Sequence, residues 1–102
     1  MNSLFLHSAA LEEIIAAVLF YEARMPGLGN DFSQELQLAF KAISNNPNPC
    51  VRIGKQLRKK TLKRFPYTII FKAEEVHIRI LAVAHQKRRP GYWKDRQSKP
   101  EE

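Results

Sequence analysis

The stretch His85-Gln86-Lys87-Arg88-Arg89-Pro90-Gly91-Tyr92-Trp93 gathers an imidazole, three cations and two aromatic rings in one short segment. Histidine titrates near neutral pH and moves protons, arginine forks onto phosphate, and aromatic rings stack on exposed bases. Taken singly, these residues have plainer uses: His85 as a packing or hydrogen-bonding group at a strand end, Trp93 as a hydrophobic peg for the C-terminus. A second cluster strengthens the chemical reading. Arg52, Lys55, Arg58, Lys59, Lys60, Lys63 and Arg64 follow one another with no acid among them. Like charges on neighbouring strand positions repel, so an external anion would relieve a cost here. The alternative is a lysine-rich edge strand that discourages sheet-to-sheet association. The two clusters together favour binding of a polyanion on one exposed positive patch beside His85.

The charge of the whole chain agrees. Its 102 residues carry a formal net charge of +7. Residues 1–50 hold Arg24 and Lys41 against Glu12, Glu13, Glu22, Asp31 and Glu35, a net of −3, and residues 51–102 carry the remaining +10. Such asymmetry draws nucleic acid, the ribosome or an acidic protein segment. The length suits a single domain, expected over residues 1–96, with a loose tail over 97–102. Cys50 stands alone, so a disulfide-built secreted scaffold is excluded and a reducing cytoplasm is expected. The apolar run from Leu11 to Tyr21 contains Glu12 and Glu13 and is too short to span a bilayer. No secretory signal is expected, since the N-terminus lacks a basic segment followed by a long apolar run and a small-residue cleavage site. His7, Cys50, His77 and His85 lack the paired spacing of zinc ligands. Gly27 and Gly29 follow a helix and precede no lysine, so they are not a phosphate loop. Neither metal nor cofactor is expected.

The elements that must position these clusters can be read from periodicity. Ser3–Leu6 is a short apolar run expected to form a first or edge strand. From Ala9 the pattern turns helical, with Ser8 as cap and Leu11, Ile14, Ile15, Val18 and Tyr21 as the buried stripe. Met25 to Gly29, with Pro26 and two glycines, breaks that helix. A second helix follows, capped by Asn30 or Asp31. Phe32, Leu36, Ala39, Phe40 and Ile43 form its stripe, and Asn45 to Pro49 ends it. Residues 57–65, 67–73 and 76–85 read as strands. In the last, Val76, Ile78, Ile80, Ala82 and Ala84 are expected on one face and His77, Arg79, Leu81, Val83 and His85 on the other. Its apolar far end implies a central position. The result is an α+β fold of order β-α-α-β-β-β, an antiparallel helical hairpin packed on one face of a mainly antiparallel sheet. The cations are expected on the other face.

Three runs in this order carry a family resemblance. Phe20-Tyr21-Glu22 leads through Pro26-Gly27-Leu28-Gly29 into Phe32. Arg64-Phe65-Pro66-Tyr67 follows, and Leu81 through Trp93 completes the set. Over about residues 4–96 the chain resembles the RelE/ParE superfamily of bacterial toxins. The resemblance implies the toxin half of a type II toxin–antitoxin module, of the kind also labelled plasmid stabilisation protein, with an acidic antitoxin that folds around it. It leaves the target open between messenger RNA on the ribosome, cut by RelE-branch members, and DNA gyrase, poisoned by ParE-branch members. It makes Tyr92 and His85 the catalytic candidates of a metal-independent endoribonuclease. Lys59, Lys60, Lys63, Arg64, Lys87, Arg88, Arg89 and Trp93 would contact the nucleic acid or other target. Thr68 and Gln86 stand where RelE-type nucleases carry arginines. Two rival readings are a non-toxic basic RNA- or ribosome-binding domain and a degenerate family member that only binds antitoxin.

Overall fold

The computed structural model describes residues 2–97. They form β1 (Ser3–Leu6), α1 (Ser8–Arg24), α2 (Leu28–Asn45), β2 (Val51–Arg52), β3 (Leu57–Thr61), β4 (Tyr67–Ala73) and β5 (His77–His85), then a 3-10 turn at Lys94–Gln97. The expected α+β architecture is present: a helical hairpin lies on a five-stranded sheet of order β1-β5-β4-β3-β2. β2 to β5 form an antiparallel meander, whereas β1 runs parallel to β5, from Ser3 beside His77 to Leu6 beside Ile80. β5 has strands on both sides over His77–Ile80, but its apolar far end pairs only with β4, so the central position expected from that end is not met there. Beyond Gln97, the expected tail lies outside the described residues.

β2 was not expected, since two residues are too few to show an alternation; it pairs Val51 with Lys59 and Arg52 with Arg58. The strand expected over 57–65 stops at Thr61. Leu62 and Phe65 leave the ladder and bury themselves in the core. Apolar demand beneath α2 thus overrides strand continuation.

Both helices start elsewhere than expected. His7, not Ser8, caps α1: its Nδ1 accepts the Ala9 N–H at 3.0 Å. The innermost residues of α1 are Ala10 and Ala17, flanked by Ile14, Val18 and Tyr21, while Leu11 and Ile15 are 46% and 50% exposed. Small side chains let the helix lie close to the sheet, which rotates the larger ones outward. α2 begins at Leu28, ahead of Asn30 and Asp31. Its cap is borrowed from α1: Glu22 accepts the N–H groups of Gly27 and Gly29, each at 3.0 Å. A carboxylate there also meets the positive end of the helix dipole. Gly27 turns the chain with φ +90°, and a Cβ on Gly29 would stand 2.7 Å from the Val18 carbonyl oxygen. The stripe of α2 is as expected, with Phe32, Leu36, Ala39 and Ile43 buried and Phe40 partly so. Tyr21, Phe32, Phe65 and Tyr67 stack edge-on beneath the hairpin.

One irregularity redirects β5. Ile70 pairs with Ala82 and Phe71 with Ile80, leaving Leu81 without a rung. A bulge of one residue turns every later side chain to the opposite face. Ile78 and Ile80 therefore share the helix side with Val83, while Ala82 joins Leu57 and Ile70 in a second apolar cluster on the open face. The faces expected for Ala82, Val83, Ala84 and His85 are thereby exchanged.

Candidate functional site

The open face holds a groove of about 380 Å³. Thr68, Ile70 and Ala84 floor it, and Lys59 stands at one side, opposite Ile70 on the neighbouring strand. Gln86, Arg88, Arg89, Gly91, Tyr92 and Trp93 build the other wall. This wall is an arm that leaves β5 and folds back along it. Gln86 N–H donates to the Pro66 carbonyl at 2.9 Å, and Gly91, at φ +78°, reverses the chain. Tyr92 and Trp93 then pack against the open-face cluster. Trp93 is thus the apolar peg that its plainer reading implies, and it also lines the groove.

The arm is fastened by Glu13, which in the sequence counts only among the acidic residues of the N-terminal half. Glu13, whose side chain is 15% exposed, accepts the Tyr92 hydroxyl at 2.6 Å and the Val83 N–H at 2.9 Å. The Arg96 guanidinium forks onto it at 3.2 Å to each oxygen and also donates to the Leu81 carbonyl at 3.0 Å. Arg88 reaches within 4.0 Å of the same carboxylate and lies over the Tyr92 ring, 3.8 Å from its centre. The cause is topological. β1 ends at Leu6, so the edge of β5 beyond Ile80 has no strand beside it, and side chains take its backbone groups. The position of Glu13 was a readable signal: it lies between Ala10 and Ala17 on the inward side of α1, where a lone carboxylate needs a cationic partner.

This network decides what Tyr92 can do. Burial and the hydrogen bond to Glu13 push its hydroxyl well above the ordinary tyrosine range, outweighing the opposing pull of Arg96 and Arg88. A phenol so held donates to Glu13 and is a poor base. His85 stands on the helix side, with its ring edge-on to Tyr67 at 5.1 Å and its Nδ1 accepting the Lys87 N–H at 3.0 Å. It borders the end of the groove. The two catalytic candidates therefore both border the groove but are engaged by different partners.

The expected binding residues divide in the same way. Lys59, Arg88, Arg89 and Trp93 meet at the groove, whereas Lys87 sits exposed in the turn after β5. Lys60 points to the other side of the sheet, where it lines a cleft with Lys63 and the α2 residues Glu35, Leu38, Ala39 and Ala42. Lys63 and Arg64 lie in the β3–β4 turn, where Glu35 accepts the Lys63 N–H at 2.6 Å and Asp31 pairs with Arg64 at 3.5 Å. The single positive patch expected from sequence is thus split. Alternation along β3 sends consecutive lysines to opposite faces.

A helical hairpin on this five-stranded sheet is the α+β arrangement of the RelE/ParE-like fold. Residues 4–90 match the family described as ParE toxin of type II toxin-antitoxin system, parDE, and the chain belongs to that family. The same fold occurs in a solved chain from the chromosomal ParDE TA system from P. aeruginosa, with TM-score 0.72 and 21% identity, covering 83% of this chain and 96% of that one. No curated protein matches the chain.

Proposed function

We propose that this ParE-type toxin arrests bacterial growth by acting on DNA gyrase in the cytoplasm, and that an acidic antitoxin encoded beside it neutralises it. The observation that carries the choice of target is the Tyr92 hydroxyl, bound to Glu13 at 2.6 Å. Cleavage of RNA without a metal needs a base at the 2′-hydroxyl, cations around the phosphorane and an acid for the leaving oxygen. Here the tyrosine is occupied, His85 Nδ1 is taken by the Lys87 N–H, and Thr68 and Gln86 replace two arginines of the nuclease branch. Lys59, Arg88, Arg89 and Trp93 suit a surface that grips an anionic target without chemistry on it. The net charge of +7 and the exposed α1 residues Leu11, Ile15 and Leu19 suit an acidic amphipathic partner that folds on binding.

Inducing the gene in a bacterium with and without the adjacent reading frame tests this reading. Growth arrest relieved by the neighbour is the expected result. Unaffected growth in both strains would instead favour a non-toxic binding domain or a member that retains only antitoxin binding.

A further inference from the structure

We infer that Glu13 is the positioning residue of the toxin's working surface: from α1, its carboxylate fixes the arm of residues 86–97 so that Arg88, Arg89 and Trp93 face Lys59 across the groove. The inference rests on the reading of that groove as the surface the toxin uses. Glu13 joins three parts of the molecule. It accepts the Val83 N–H from the unpaired edge of β5, the Tyr92 hydroxyl from the middle of the arm, and the Arg96 guanidinium from its end. Arg96 completes the join by donating to the Leu81 carbonyl at the bulge. One side chain thereby ties α1, the strand edge and the arm into a single unit. Side-chain exposures of 15% for Glu13 and 17% for Arg96 place the ion pair where water screens it weakly.

The charge of Glu13 is the essential property. A glutamine can still accept from Val83 or Tyr92, but its amide nitrogen would face Arg96 or Arg88 with a donor against donors. With no opposite charge to hold it, the cationic arm loses its anchor. Arg88, which lies over the Tyr92 ring, moves with it.

Trp93 is the only tryptophan in the chain and reports on the arm directly. Its emission and its quenching by iodide are to be measured in the purified parent protein and in Glu13→Gln, Arg96→Gln and Glu12→Gln, with far-UV circular dichroism recorded for each and growth arrest scored in parallel. Glu13→Gln is expected to shift Trp93 emission to the red, raise its quenching severalfold and abolish arrest, with helix and sheet content retained. Arg96→Gln breaks the same pair from the arm's side without touching α1 and should give the same shift even where Glu13→Gln fails to fold. Glu12→Gln, on the exposed side of α1, should match the parent. Unchanged Trp93 emission in a folded Glu13→Gln or in Arg96→Gln overturns the inference, as does full arrest with the arm released. A parent protein that leaves growth unaffected removes the toxin reading instead, and the Trp93 measurements still decide whether Glu13 holds the arm.

Discussion

The Tyr92 hydroxyl and the Glu13 carboxylate meet at 2.6 Å although 79 positions separate them in the chain. That bond makes Tyr92 part of a clamp on the arm. A hydrogen bond to a charged acceptor stabilises more than a neutral one. Tyr92→Phe is predicted to cost about 2 kcal/mol, the range for hydrogen bonds to charged groups, measured as a fall in the urea midpoint.

The same bond sets a pH dependence. The folded state holds the Tyr92 hydroxyl protonated above its ordinary value of 10.0, chiefly through burial and then through Glu13. Its contribution is therefore complete below pH 10 and is lost as pH rises above it, because the unfolded chain then binds fewer protons than the folded one. Burial pushes Tyr21 and Tyr67 in the same direction. Unfolding free energies measured from pH 8 to 11 should fall on the alkaline side, and fall less steeply in Tyr92→Phe. Equal slopes would remove Tyr92 from the linkage.

The hairpin makes a sharper packing prediction. A methyl on Gly29 would meet the Val18 carbonyl oxygen at 2.7 Å and Glu22 Cβ at 3.0 Å, so the helices must separate. Gly29→Ala is predicted to destabilise by about 2 kcal/mol, as overpacking does. Gly27→Ala meets nothing within 4 Å but keeps φ at +90°, a left-handed strain of about 1 kcal/mol. Equilibrium unfolding should rank the two in that order.

The first two of the three runs that carry the family resemblance prove to be scaffolding, whereas the third lines the groove. Glu22, Gly27 and Gly29 build the hairpin turn, and Tyr21, Phe32, Phe65 and Tyr67 form the aromatic stack beneath it. Such features are legible because turn chemistry and helical period are local. The faces of β5 were not, because the bulge at Leu81 arises from its register with β4, which no property of β5 alone reveals. The division of the β3 lysines follows from strand alternation and could have been read from it. The seven cations were grouped by proximity in sequence, which a strand does not preserve in space. The partners of Glu13 lie at the other end of the chain, so its position hints at a cationic partner but does not say which one.

The division of the cations is testable in cells. Lys59 borders the groove, whereas Lys60, the next residue, faces the cleft beside α2. Lys59→Glu is predicted to weaken target binding by about tenfold or more, a change of about 1.4 kcal/mol, and to relieve growth arrest. Lys60→Glu should leave arrest intact. Colony counts after induction of each variant compare them directly, and equal effects would show that the groove is not the working surface.

Purified toxin mixed with DNA gyrase and supercoiled plasmid, beside a parallel reaction with translating ribosomes and messenger RNA, tests the central claim most directly. The account predicts gyrase-linked breaks in the plasmid and intact message. Message cut on the ribosome, with the plasmid untouched, would contradict it.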